Sequence, residues 1–109
     1  MIDIIAIAGS ARRHANSETI LDRALEGIRS TRDDVSVEKI VPREMSITPC
    51  RSCNGCWKTG RCVVQDQMQE LYTRFCEADH IVLAAPIYFT SLPGHTKVFI
   101  DRFQCFWVR

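Results

Sequence analysis

Two short apolar runs set the frame for the whole chain. Residues 3–8 (DIIAIA) and 80–85 (HIVLAA) are almost continuous in Ile, Val, Leu and Ala. That is the pattern of strands buried on both faces of a parallel sheet. A third run at 35–41 (VSVEKIV) alternates in part and carries Glu38 and Lys39, which places it near a sheet edge. Helical periodicity fills most of the sequence between and after these runs. The order reads strand, helix, strand, long loop, helix, strand, helix. Strands separated by helices pair through crossovers, so the sequence predicts an α/β parallel sheet.

The helices are read from their stripes. Ile20, Leu21, Ala24, Leu25 and Ile28 recur at helical spacing, with Asn16 or Ser17 as the cap on one of two readings of the helix start. Asp66 opens the next helix with Gln69 as its capping-box partner. Met68, Leu71, Tyr72, Phe75 and either Cys76 or Ala78 form the face expected to be buried. Pro93 and Gly94 lead into HTKVFIDRF, with Val98, Phe99 and Phe103 inward. At 109 residues the chain is one domain, 1–109. A net charge of +1 gives no general pull toward nucleic acid or a membrane surface. The longest apolar runs are far too short to span a bilayer. The first ten residues lack the basic region of a secretion signal, so a cytoplasmic location is expected.

Three stretches carry chemistry. Residues 50–62 (CRSCNGCWKTGRC) hold four cysteines spaced C-x2-C-x2-C-x5-C. Such short gaps let one loop gather its thiolates, and soft thiolates select zinc or iron–sulfur centres over hard cations. The four match the requirement of a [4Fe–4S] cluster, and the spacing differs from common zinc modules. Zinc, a redox disulfide and a bare thiol loop remain the alternatives. The second stretch, GSARRHANSET after the first strand, places Ser10, Arg12, Asn16, Ser17 and Thr19 at a helix start. Backbone N–H groups, hydroxyls and an arginine there suit an anion, above all phosphate. The other reading is a capped helix with solvated arginines. The third stretch, Pro86 to Ser91 (PIYFTS), follows a buried strand, where an aromatic pair and hydroxyls suit a flat ring. The ordinary reading is a strand-to-loop turn with Tyr88 and Phe89 in the core.

Together these motifs resemble the iron–sulfur flavoproteins, a branch of the flavodoxin-like NAD(P)H-dependent FMN reductase superfamily. GSARRHANS is similar to that family's phosphate loop, PCRSCNGCWKTGRCVVQDQM to its compact cysteine motif, and APIYFTSLPGHTKVFIDR to its flavin segment and following helix. The resemblance implies a flavodoxin-like doubly wound sheet of strand order 2-1-3-4-5. Only three strands are visible, so the sheet is expected to stop after the third strand and its helix, leaving a bare apolar edge. The resemblance further implies that Ser10, Arg12, Asn16 and Ser17, with Thr19, bind the FMN phosphate. Pro86, Ile87, Tyr88, Phe89 and Thr90 would contact the ring or ribityl chain. Cys50, Cys53, Cys56 and Cys62 would ligate a [4Fe–4S] cluster. Lys97, Asp101 and Arg102 match the family's helix and read as structural or interfacial. Ala11 stands where the family often has Pro, and Gln67 where it often has Asp.

The function so implied is electron transfer between two-electron and one-electron carriers, with a ferredoxin, NAD(P)H or a quinone as partner and a homodimer or homotetramer as the assembly. No catalytic acid or base is required. An NAD(P)H-dependent FMN or quinone reductase without a cluster is the first alternative. A zinc-stapled interaction module is the second.

Overall fold

The computed structural model describes residues 1–108. β1 (Ile2–Ala8) lies in the centre of a three-stranded sheet, flanked by β2 (Val35–Ile40) and β3 (His80–Ala84). Both neighbours run parallel to it, with Ile5 opposite Glu38 on one side and Ile81 on the other. The order β2-β1-β3 is the one expected from the sequence. The connections leave β1 in one direction and cross back past it in the other, so the strand order reverses between β1 and β3. In open α/β sheets a ligand crevice lies at the carboxyl ends of the strands at such a point.

Side chains of β1 alternate between two helical layers, as strand geometry requires. Ala6 and Ala8 face α1 (Asn16–Thr31), where Leu21 and Leu25 bury themselves against Val37, Val82 and Ala84. Ile5 and Ile7 face the opposite layer. They pack there with Met68, Leu71 and Phe75 of α3 (Met68–Glu77) and Phe99 of α4 (Gly94–Asp101). Small residues on one face let α1 approach closely, and large ones fill the other. Phe103 seals the second layer, with ring centroids 4.6 Å from Phe75 and 5.4 Å from Phe99. Between β2 and α3 the chain forms a short 3-10 turn (Pro42–Glu44) and a single-turn helix, α2 (Cys56–Thr59). A last short helix, α5 (Gln104–Trp107), follows α4.

Several expectations need correction. Ile20 is 67% exposed and Ala24 is in solvent, because Leu21, Leu25 and Ile28 suffice to cover the alanine face of the sheet. Cys76 is exposed, since it lies one helical step beyond Phe75 toward water, and Ala78 packs inward instead. The capping box is not formed. The Asp66 carboxylate accepts from the Met68 N–H at 3.1 Å, but Gln69 donates to the carbonyls of Cys62 and Val64. The run 80–85 is not buried on both faces: β3 is an outer strand of the sheet, and its Ile81 and Leu83 are 54% and 40% exposed, as the bare apolar edge implied. Among the described residues no helix is long and apolar enough to cross a membrane.

Candidate functional site

The carboxyl ends of β1 and β3 finish level, and the Gly9 N–H donates to the Ala84 carbonyl at 2.8 Å. Gly9 is where three segments crowd. A β-carbon there would lie 2.8 Å from that of Ala85 and 3.1 Å from the Thr96 hydroxyl, which donates to the Gly9 carbonyl at 2.6 Å. Only hydrogen fits. The close approach pins α4 against the two loops that follow β1 and β3.

In the first loop Ser10 is buried, and its hydroxyl accepts from the Arg12 N–H at 3.2 Å. The Ser10 carbonyl accepts from Arg43 at 3.3 Å, and Arg43 also pairs with Glu18 at 3.2 Å. Glu18 takes a second cation, Lys39, at 2.7 Å. Lys39 foremost, with Arg43 in support and burial opposing, holds the Glu18 carboxyl below its usual range. A bare carboxylate in the first turn of α1 would repel an anion, and these two cations offset it. Arg43 lies 33 residues from Ser10. Nothing in the local sequence marks it as a buttress.

Neither Asn16 nor Ser17 caps the helix, so the capped-helix reading of this turn does not hold. Ala15 is the N-cap, with extended backbone and no side-chain acceptor, while Asn16 and Ser17 already belong to the helix. The first-turn N–H groups of this sixteen-residue helix therefore gain no side-chain cap from the protein. The Ser17 hydroxyl is buried and has no hydrogen-bond partner. Thr19 spends its hydroxyl on the Ala15 carbonyl at 3.2 Å. A cavity of about 190 Å³ opens here, lined by Ser10, Arg12, Ala15, Asn16, Ser17, Pro86 and Tyr88. The fold thus brings together two loops some seventy residues apart in sequence.

In the second loop Phe89 and Thr90 both have left-handed backbones, at φ 43° and 68°. Tyr88 and Ser91 exchange two backbone hydrogen bonds, at 2.8 and 3.1 Å, closing a two-residue turn. Such conformations cost about 1–3 kcal/mol each and gather at functional sites. The turn sends Phe89 into solvent, 96% exposed, beside Ile87 at 81%, so neither Phe89 nor Tyr88 is a core residue. Ile87, Phe89 and Thr90 stand outside the small cavity that Pro86 and Tyr88 line.

A second cavity, of about 320 Å³, contains Cys50, Cys53, Cys56 and Cys62 in its lining, with Trp57 and Arg102. Cys105, which sequence reasoning left unassigned, lines it too. Ser52, Asn54 and Gly60 take left-handed backbones, and Gly60 closes α2 by donating to the Cys56 carbonyl at 2.7 Å. All four loop cysteines are free thiols. As a donor set they fit a soft metal or iron–sulfur centre. No three His, Cys, Asp or Glu side chains among the described residues converge on one metal position.

Arg102 stands at the wall of this cavity, 2% exposed. It pairs with Asp66 and donates to the carbonyls of Thr48 at 2.9 Å and Val64 at 3.3 Å, and to the Cys62 sulfur at 3.4 Å. Burial alone would raise the Cys62 thiol. The Val64 amide and Arg102 outweigh it and hold the thiol below its ordinary value. Burial pushes the Tyr72 phenol up, and its hydroxyl donates to the Arg102 carbonyl at 2.7 Å. Asp101 pairs with Lys97, four residues back.

The sequence matches the family model described as NADPH-dependent FMN reductase over residues 2–109. It is 35% identical over 98 residues to an iron–sulfur flavoprotein of Archaeoglobus fulgidus, covering 90% of this chain and 44% of that protein. It is 34% identical over 99 residues to an iron–sulfur flavoprotein of Methanosarcina thermophila, covering 91% of this chain and 51% of that one. The chain spans about half the length of these relatives. Its fold is similar to that of an NADH:FMN oxidoreductase (EMOB) in the apo form, with a TM-score of 0.68 at 24% identity, covering 94% of this chain and 50% of that chain.

Proposed function

The chain belongs to the NADPH-dependent FMN reductase family, and from that premise we propose that it is the FMN-binding, cluster-bearing part of an electron-transfer flavoprotein oxidoreductase. The buried, unpartnered Ser17 hydroxyl carries the reading. A buried hydroxyl without a partner costs about 1–3 kcal/mol. It lies in a cavity lined by an arginine and the start of an uncapped helix. A phosphate would satisfy all three at once. The volume suits the phosphate end of a flavin rather than the whole molecule, since sites for complete ligands of that size run to roughly 300 Å³ and more.

In this reading Ser10, Arg12, Asn16 and Ser17 hold the phosphate. Thr19 supports the helix start through its bond to Ala15. Pro86 and Tyr88 line the way out toward Ile87, Phe89 and Thr90, whose strained turn offers an apolar surface to the ring. Cys50, Cys53, Cys56 and Cys62 ligate a [4Fe–4S] cluster. FMN supplies two-electron chemistry and the cluster one-electron chemistry, so a site holding both converts one kind of carrier into the other. The protein's part is to position the groups, shed water and tune charge. NAD(P)H, a ferredoxin-type carrier and a quinone are the partners this chemistry would serve. A homodimer or homotetramer is the assembly this reading proposes.

A second reading has one observation in its favour: the loop thiols do not converge. It keeps the flavin and drops the cluster, leaving an FMN or quinone reductase. The zinc-stapled module leaves the Ser17 cavity unexplained. Visible absorption of protein purified without oxygen, before and after dithionite, decides among the three. Flavin bands over a broad, bleachable shoulder are expected. Flavin bands alone select the cluster-free reductase. Protein that stays colourless after FMN, iron and sulfide are supplied refutes both flavin readings.

A further inference from the structure

We infer that Arg102 is the positioning residue of the cysteine loop, clamping both of its stems and contacting Cys62 through one buried guanidinium. The inference rests on the reading of that loop as a metal-binding site. A buried charge is expensive unless it is paired and hydrogen-bonded. Arg102 is 2% exposed, and where its donors go is informative. Its acceptors are the Thr48 carbonyl, the Cys62 sulfur, the Val64 carbonyl and the Asp66 carboxylate. Thr48 lies two residues before Cys50, and Val64 two after Cys62. The clamp therefore grips the loop on either side of its four cysteines.

None of these four acceptors lies on the sheet or on α1. An arginine whose task was to fasten α4 to the core would bond there instead. The planar fork of a guanidinium reaches several acceptors at fixed angles, which an ammonium cannot do. Two further contacts fix Arg102 from behind: Tyr72 donates to its carbonyl, and its own N–H donates to the Phe99 carbonyl at 3.3 Å. The position is thus tied to the aromatic core, and the core to the loop. A donor and positive charge beside a ligand sulfur stabilises the more reduced state of an iron–sulfur centre. Arg102 would therefore raise the reduction potential while holding the loop closed.

Two variants separate these effects from folding. Arg102→Lys keeps the charge and loses the fork; Arg102→Met loses both. Each is first checked by far-ultraviolet circular dichroism, and if the Met variant does not fold the Lys variant decides. The first readout needs no metal: trypsin cleavage at Arg51, Lys58 and Arg61 in metal-free protein. The folded variants should be cut roughly fivefold faster or more, the factor that goes with losing one net hydrogen bond. The second readout follows incubation with iron and sulfide. Iron content should fall, and the midpoint potential should move negative, further in Arg102→Met than in Arg102→Lys. Folded variants with wild-type cleavage, iron content and potential would overturn the inference. Wild-type protein that takes up no iron would refute the cluster reading instead. The cleavage rates then decide the clamp by themselves: faster cutting supports it and unchanged cutting overturns it.

Discussion

Replacing Asp66 by Asn tests how the loop anchor is built. In the wild type both carboxylate oxygens are in use. Oδ2 accepts from the Thr48 N–H at 2.9 Å and from Arg102, and Oδ1 accepts from the Met68 N–H at 3.1 Å. Asn has a single acceptor oxygen. Whichever way its amide turns, the NH₂ group meets a donor: Met68 on one side, or Thr48 and Arg102 on the other. The side-chain volume hardly changes, so no cavity term enters. What is lost is the counter-charge of a buried guanidinium. Breaking such a pair from one side costs about 3–5 kcal/mol. Asp66 keeps 11% of its side chain exposed, which points to the lower end, about 3 kcal/mol. In a domain of this size that corresponds to a fall in Tm of roughly 12–24 °C.

The same substitution has a pH signature. Burial pushes the Asp66 carboxyl up, but Arg102 and the Thr48 and Met68 amides overcome it and hold the folded-state value below the ordinary one. A depressed carboxyl contributes stability that is fully present above its unfolded value, about 3.9, and is lost as pH falls through the folded value beneath it. The gap between wild type and Asp66→Asn should be full at neutral pH and shrink below about pH 4. Thermal melts followed by circular dichroism from neutral pH down into that range read both quantities. A loss under about 1 kcal/mol at neutral pH, or a gap that does not narrow in acid, would refute the assignment of Asp66 as the charge partner of Arg102.

Other substitutions read other parts of the site. Gly9→Ala forces a β-carbon against that of Ala85 and against the hydroxyl and methyl of Thr96. It should cost about 1–3 kcal/mol by overpacking, seen as a lower urea midpoint. Ser17→Ala removes a buried hydroxyl that has no partner. Flavin-free protein should melt at or slightly above the wild-type temperature, while FMN affinity falls roughly tenfold in a flavin-fluorescence titration, the scale of one hydrogen bond to a charged group. Unchanged affinity would remove Ser17 from the phosphate site. Cys53→Ala should abolish most iron uptake with the circular dichroism spectrum intact, and full iron content would exclude Cys53 as a ligand.

The order of elements was legible because it is written in local periods. The run DIIAIA ahead of a helical stripe reads as a buried parallel strand, and β1 is that strand, at the centre of the sheet. The run HIVLAA by itself read as buried on both faces, and the exposure of Ile81 and Leu83 followed instead from the strand order, which leaves β3 at an apolar edge. The cysteine spacing and the hydroxyl-rich turn were visible as composition within a dozen residues. Tertiary structure decided which of these groups meet. Arg43 reaches Ser10, and Arg102 reaches Thr48 and Asp66, across 33 to 54 residues. No local pattern encodes such pairs, because a long-range bond depends on where two elements dock. Capping also turned on a single residue. Because Ala15 rather than Asn16 or Ser17 became the N-cap, the Ser17 hydroxyl was left inside a cavity instead of closing a helix. The sequence by itself determined the strands, the helical faces and the chemistry within each loop, since neighbours in the chain dictate them. Only the packing of α4 onto the loops after β1 and β3 and around the cysteine loop decided which side chains share a cavity.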